Sequence, residues 1–413
     1  MRMKNNILTS LVAIAILSVS CATDDTADVI INDNRVINTT NNNAPVNPTG
    51  LTIRLSGTYT SSLNLDANNT YIVDGSLVMA SGTTLTVPAG MTIKADPSGS
   101  DVYIAIAQGA KIIANGTADS PIIFTSGASN PQAGDWGGLI LLGKAPSNAV
   151  TGTATATSEI GGLPYGGNVS NDDSGSLRYV RIEYSGASAD AASENNGLSL
   201  YGVGSGTAIS YVQIVAGKDD GIEFFGGTVN ASFLSVINAE DDSIDWTEGY
   251  SGTLTNVYVK HIQNPTVSYC SDKAFECDGF NPTFGNNSSP LVYSAPKVTN
   301  VTIVGVGSGN LFQDGSNISA GTYEAIRLRV GTQGIFTNIK MTGFGEGFDL
   351  DNDITGDGVI ADKLQINGIL FTDVTTKMKN DTGKVFTIAD FITGDGTATG
   401  TDYATWGAGW TVQ

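Results

Sequence analysis

From residue 51 onward the chain is written in short β-branched and aromatic runs punctuated by Gly, Asn and Asp. No stretch sustains the 3.6-residue apolar spacing of an amphipathic helix. Within the runs, apolar and polar residues alternate. In SGTTLTVPAGMTIKA (81–95), answered by QGAKIIANGTADSPIIFTS (108–126), alternation sends every second side chain to one face, as in a strand half-buried against a core. The runs also repeat. NNGLSLYG (195–202), DDGIEFFG (219–226) and DDSIDWTE (241–248) align at offsets of 24 and 22 residues, and Val212 and Ile214 are answered by Leu234 and Val236. Displaced copies stand at AFEC (274–277) and GFDL (347–350), and a further strand recurs as TNVYV (255–259), TNVTI (299–303) and TNIKM (337–341). Such a unit cannot bury its apolar side alone, but it can by stacking on the next coil at ~4.8 Å. The pattern therefore predicts an all-β, single-stranded parallel solenoid over 51–413, with loop insertions at 146–176 and 264–297. Ile222, Ile244, Phe275 and Phe348 would form one inward ladder, and Phe224, Trp246, Cys277 and Leu350 a second.

The first 50 residues follow a different pattern. Arg2 and Lys4 precede a short apolar run from Ile7 to Ser20, the layout of a signal peptide and too short to span a bilayer comfortably. The run ends in small residues before Cys21. This segment resembles a bacterial lipoprotein signal (1–20) with Cys21 lipidated, although Ser18 stands where the family has an aliphatic residue; plain secretion with cleavage near Ser20 is the alternative. Asp24 and Asp25 resemble the surface-export signal of Bacteroidota-type lipoproteins. Residues 21–50, rich in Asn, Thr and Asp, read as a flexible tether after the lipidated Cys.

Charge narrows the function. The chain holds 40 Asp+Glu against 20 Lys+Arg, a net charge of -20, and one histidine. No basic stripe exists to displace the counterions of a nucleic acid, and one histidine excludes multi-His zinc sites, leaving oxygen ligands for any metal. In the I-E-F and I-D-W copies the acid lies between two inward residues and so points outward. Stacking places Glu223, Asp245, Glu276 and Asp349 on one external face, which reads either as a calcium or ligand face or as a solvated acidic stripe. Asp219/Asp220 and Asp241/Asp242 read as turn residues. In DNDITGDGVIAD (351–362), Asp351, Asp353, Thr355, Asp357 and Asp362 fall at spacings that resemble an EF-hand or dockerin-type calcium loop, with Gly356 at the sharp turn. Gly358 departs from that pattern, and a polar turn between coils is the alternative. Cys270 and Cys277 read as a disulfide in an exported chain, and metal binding is disfavoured by their spacing.

The runs TLTVPAGMTIKA, AKIIANGTADSPIIFTS and DWGGLILLGKA (135–145) resemble right-handed parallel β-helix proteins of the pectate-lyase-like superfold, in particular surface lipoproteins of Bacteroidota. The resemblance implies an outer-membrane, cell-surface location through the lipid anchor, with a TonB-dependent receptor as one partner. The fold hosts enzymes, adhesins and passive scaffolds alike. Lys218, Arg327 and Arg329 are the basic residues a lyase could use, but no Gly-His-Gly segment accompanies the acids, and His261 in Val-Lys-His-Ile reads as structural. The expectation is a non-catalytic lipoprotein that binds or presents a glycan, a peptide or an outer-membrane partner protein, with calcium as cofactor. A polysaccharide lyase or glycoside hydrolase, and an adhesin, are the alternatives.

Overall fold

The computed structural model describes residues 50–188, 195–262, 271–309 and 323–413. The lipoprotein signal, Cys21 and the tether lie outside them, as does Cys270. From Thr52 to Asp395 the strands wind into a parallel β-helix, each pairing in parallel with the equivalent strand of the next coil. A two-residue antiparallel pairing, Ala156–Thr157 with Pro164–Tyr165, belongs to the first insertion. No described helix is long and apolar enough to cross a membrane.

The register follows the repeat. Along the first inward ladder run Leu139, Leu198, Ile222, Ile244, Phe275, Ile326 and Phe348, all fully or almost fully buried. The second holds Leu141, Leu200, Phe224, Trp246, Cys277, Leu328 and Leu350. Both expected ladders form, with one coil more than the sequence pattern supplied. Strand Glu324–Arg329 slips between the Phe275 and Phe348 rungs, and its A-I-R-L core keeps the alternation while replacing the acid with arginine. Trp246 sits in the core and donates its indole N–H to Thr332 Oγ1 at 3.1 Å. Cys277 is a buried thiol packed in the core ladder between Trp246 and Leu328; Cys270, its expected disulfide partner, lies outside the described residues.

The Thr-Asn strands bend where Asn takes a left-handed backbone. Asn256, Asn300 and Asn338 have φ near 60° and link side chain to side chain, Asn338 donating to Asn300 and Asn300 to Asn256. Asn tolerates this region because its short amide finds local partners. In the preceding coils the same corner carries Phe233, Tyr211 and Tyr179, which stack at 4.3 Å centroid spacing. The C-terminal residues lie over this corner and do not cap the last coil. Trp410 meets Tyr179 and Tyr211 edge-on, and Gln213 both accepts from Val412 N and donates to Val412 O. Capping falls instead to Phe391 of helix Ile388–Phe391, packed edge-on against Phe348.

His261, 3 % exposed, lies between Ser243 Oγ (3.2 Å) and Tyr323 Oη (2.5 Å), and burial lowers its pKa to about 3. It is a neutral structural histidine, as expected. Segment 351–362 departs from expectation. Asp353–Ile360 form a helix because Thr355 and Val359 are buried against the coil, and Thr355 Oγ1 accepts from Gly331 N. Asp351 ends the preceding strand, and a helix rotates successive residues by about 100°, so residues 353, 355 and 357 do not wrap an ion as a loop would. Asp351 turns to Arg327, while Asp353 and Asp357 both face Lys384. Asp362 closes the helix with φ 55°.

Candidate functional site

Between the inward residues of each coil stands one outward residue, and pairing lines these up as Ser199, Glu223, Asp245, Glu276, Arg327, Asp349 and Lys379. The four acids expected on one face are on it, with Arg327 inserted between Glu276 and Asp349. The face is not a solvated stripe. Glu223, Asp245 and Glu276 line a cleft of about 380 Å³ with Glu159, Asp219, Asp220, Asp241, Asp242, Asp272, Lys273, Arg327 and Arg329. Every lining residue is charged, and carboxylates outnumber cations three to one.

The repeated Asp-Asp turns supply the floor of the cleft. Asp220 (7 % exposed) accepts from Asp242 N at 3.0 Å, and Asp242 (3 % exposed) accepts from Lys273 N at 2.8 Å, so each turn is pinned by the next. The turn-residue reading of these acids holds for their backbone bonds, but their burial was not legible from the sequence. Asn196 donates to Glu223 Oε2 at 2.6 Å, and its own position depends on Gly138. Gly138 has φ 130°, and a Cβ there would lie 2.1 Å from the Asn196 carbonyl oxygen. The 146–176 insertion brings Glu159 to the wall. That insertion is held by buried Glu248, which accepts from Ser147 Oγ and Tyr165 Oη.

Electrostatically the cleft has two ends. At one, Lys273 contacts Asp272 (2.6 Å), Glu276 (3.4 Å) and Asp242 (3.7 Å), while Arg329 binds Glu276 and Asp278, both at 2.6 Å. Burial alone would push Glu276 up, but Lys273 and Arg329 together hold it below the usual carboxylate range. Burial raises Asp278 to about 6 against the pull of Arg329. At the other end, Asp220, Glu223 and Asp245 form no ion pair among the described residues. Burial, and then repulsion from neighbouring carboxylates, Asp219 on Asp220, Asp245 on Glu223, and Glu276 and Asp278 on Asp245, drives all three well above the ordinary carboxylate range. Asp245 Oδ1 is buried with no hydrogen-bond partner. It belongs to two triples, Asp220/Glu223/Asp245 and Asp242/Asp245/Glu276, in each of which one oxygen per residue lies within 4.8 Å of the others.

Such an oxygen-only donor set suits a hard cation. None of the three lining bases is a neutral proton acceptor, because carboxylate neighbours raise the pKa of Lys273, Arg327 and Arg329 despite their burial. Lys218, the remaining basic candidate, is outside the cleft lining, packed against Gly134.

The solved catalytic unit of a thermostable GH87 alpha-1,3-glucanase from Streptomyces thermodiastaticus strain HF3-3 aligns with a TM-score of 0.40 at 12% identity. The alignment covers 87% of this chain and 64% of that one, a likeness on which no functional statement rests. No curated protein matches the chain in sequence. The profile of the pectate-lyase like beta helix domain matches residues 57–411, nearly the whole of the coil described above, and the chain belongs to that family.

Proposed function

We propose that the protein is a ligand-binding β-helix of the cell surface whose acidic cleft takes up hard divalent cations, calcium foremost, and through them engages an oxygen-rich ligand such as a glycan. The carrying observation is Asp245 Oδ1, a buried acceptor with no donor, at the centre of carboxylates that burial and repulsion keep from ionising together. A buried carboxylate group of this kind is stabilised by a proton, by a base or by a metal, and no base stands within ion-pair distance of Asp220, Glu223 or Asp245 among the described residues. This reading moves calcium from segment 351–362 to the cleft. Lipidation at Cys21 and outer-membrane display, which rest on the sequence of the first 50 residues, and a TonB-dependent receptor partner, which rests on the resemblance to Bacteroidota surface lipoproteins, belong to the same proposal.

Calorimetric titration of the chain with Ca²⁺, followed by glycan binding with and without chelator, tests it. Asp220→Asn/Asp245→Asn is expected to lose cleft affinity by tenfold or more, and chelator to abolish glycan binding. Unchanged Ca²⁺ binding in that variant would overturn the proposal.

One observation favours a second reading, a glycoside hydrolase. Asp245 and Glu276 are register neighbours whose surroundings pull their pKa values in opposite directions, the arrangement that separates a general acid from an ionised carboxylate. Reducing ends released from a neutral-glycan panel, and lost in Glu276→Gln, would establish it. A lyase is disfavoured by the charged state of the bases that line the cleft, and new absorbance near 235 nm from polyuronates, on the order expected for unsaturated products, would contradict that.

A further inference from the structure

Beyond the cleft, the outward ladder continues onto the strands Glu324–Arg329, Gly334–Asp351 and Leu364–Asp381. Here Glu324 stands directly opposite Glu346 on the next coil, and Asp349 lies three residues further along the same strand. Like charges in direct register repel, and oxygens of the three carboxylates approach to within 4.8 Å of one another. Asp349 is 2 % exposed, and its Oδ1 is buried with no hydrogen-bond partner; Glu324 Oε2 is in the same condition. Among the described residues, one cation forms ion pairs here, and it comes from the rim: half-exposed Lys379 reaches Asp349 Oδ2 at 3.2 Å and Glu346 at 3.9 Å, and is held from outside by Asp381 at 3.1 Å. Its ammonium shows where positive charge is drawn, yet it leaves the two inner oxygens unsatisfied.

We infer that Glu324, Glu346 and Asp349 form a second hard-cation site, separate from the cleft, for which Lys379 is the built-in competitor. The donors are carboxylate oxygens with no sulfur or imidazole among them, which selects a calcium-class ion completed by water. On binding, the ion occupies the inner oxygens and Lys379 swings outward onto Asp381. The inference stands independently of the cleft.

Calcium calorimetry on the full chain tests it with three variants. Wild type is expected to show two classes of site. Glu324→Gln/Asp349→Asn removes one class and spares the other, while Asp220→Asn/Asp245→Asn does the reverse, so failure of one site is not mistaken for failure of the other. Lys379→Met, which removes the competing charge, is expected to tighten the second class by at least about tenfold and leave the cleft class unchanged. Should the first variant not fold, Lys379→Met decides alone. Calcium binding that is the same in wild type and Lys379→Met would overturn the inference.

Discussion

Two stretches of one ladder share backbone, register and burial but differ in charge. From Glu276 onward, acid and base alternate from coil to coil: Glu276 with Arg329, Asp351 with Arg327, Asp349 with Lys379. From Asp220 to Asp245 there are only acids. The compensated stretch shows that this fold can neutralise outward carboxylates with bases one coil away. The bare stretch departs from that practice, as do the inner oxygens of Glu324 and Asp349, and buried, uncompensated carboxylates on a scaffold are where function is sought.

The comparison breaks most sharply at Arg329. Arg329→Met strips Asp278 of its partner and leaves Glu276 with Lys273 alone, and the expected loss is about 3 kcal/mol in urea unfolding, the usual cost of leaving a buried charge unpaired. A loss near zero would mean that the two stretches do not differ in compensation.

Next in size is the pH response. Burial raises the folded pKa of Asp278 to about 6, so its contribution to stability is fully present below its unfolded value and is lost as pH rises through 6. Glu276 runs the other way. Burial would raise it, but Lys273 and Arg329 hold it low, so its contribution is present above its unfolded value near ~4.3 and fades as pH falls below that. The chain in chelator is expected to have its highest urea midpoint between these limits and to lose stability from pH 5 to 8. A midpoint that climbs steadily toward pH 8 would contradict this.

Smaller still, Asp245→Asn in chelator is expected to stabilise the fold by up to about 1 kcal/mol, since it removes one of several like charges in register. The same change at Glu276 is expected to destabilise, because it leaves Lys273 and Arg329 facing a neutral group. Equal effects at the two positions would erase the distinction. Smallest of all, Lys384→Ala, which frees the exposed acids of helix Asp353–Ile360, is expected to leave Ca²⁺ affinity within experimental scatter.

What was legible in the sequence, and what was not, follows the same division. The ladder Glu223, Asp245, Glu276 could be read directly, because a parallel coil converts sequence offset into register with no intervening fold decision. The rung Glu324–Arg329 was missed because it lacks the Asp-Asp turn and carries Arg327 in place of the acid, although its Ile326 and Leu328 keep the apolar spacing. The depth of the cleft was not legible either. Its walls come from turns, from Asn196 seated against Gly138, and from the 146–176 insertion held by buried Glu248, contacts more than fifty residues apart in the chain. Spacing also misled at 351–362. Ligand-like positions alone cannot distinguish a loop from a helix when burial of Thr355 and Val359 decides the backbone.

The most direct test of the central claim is an anomalous-difference map from a crystal of the chain grown with a calcium-class ion such as terbium. The account predicts a peak among Asp220, Glu223 and Asp245, in contact with Asp245 Oδ1. A fully occupied ion found only along helix Asp353–Ile360, with Asp245 Oδ1 bonded to protein alone, would contradict it.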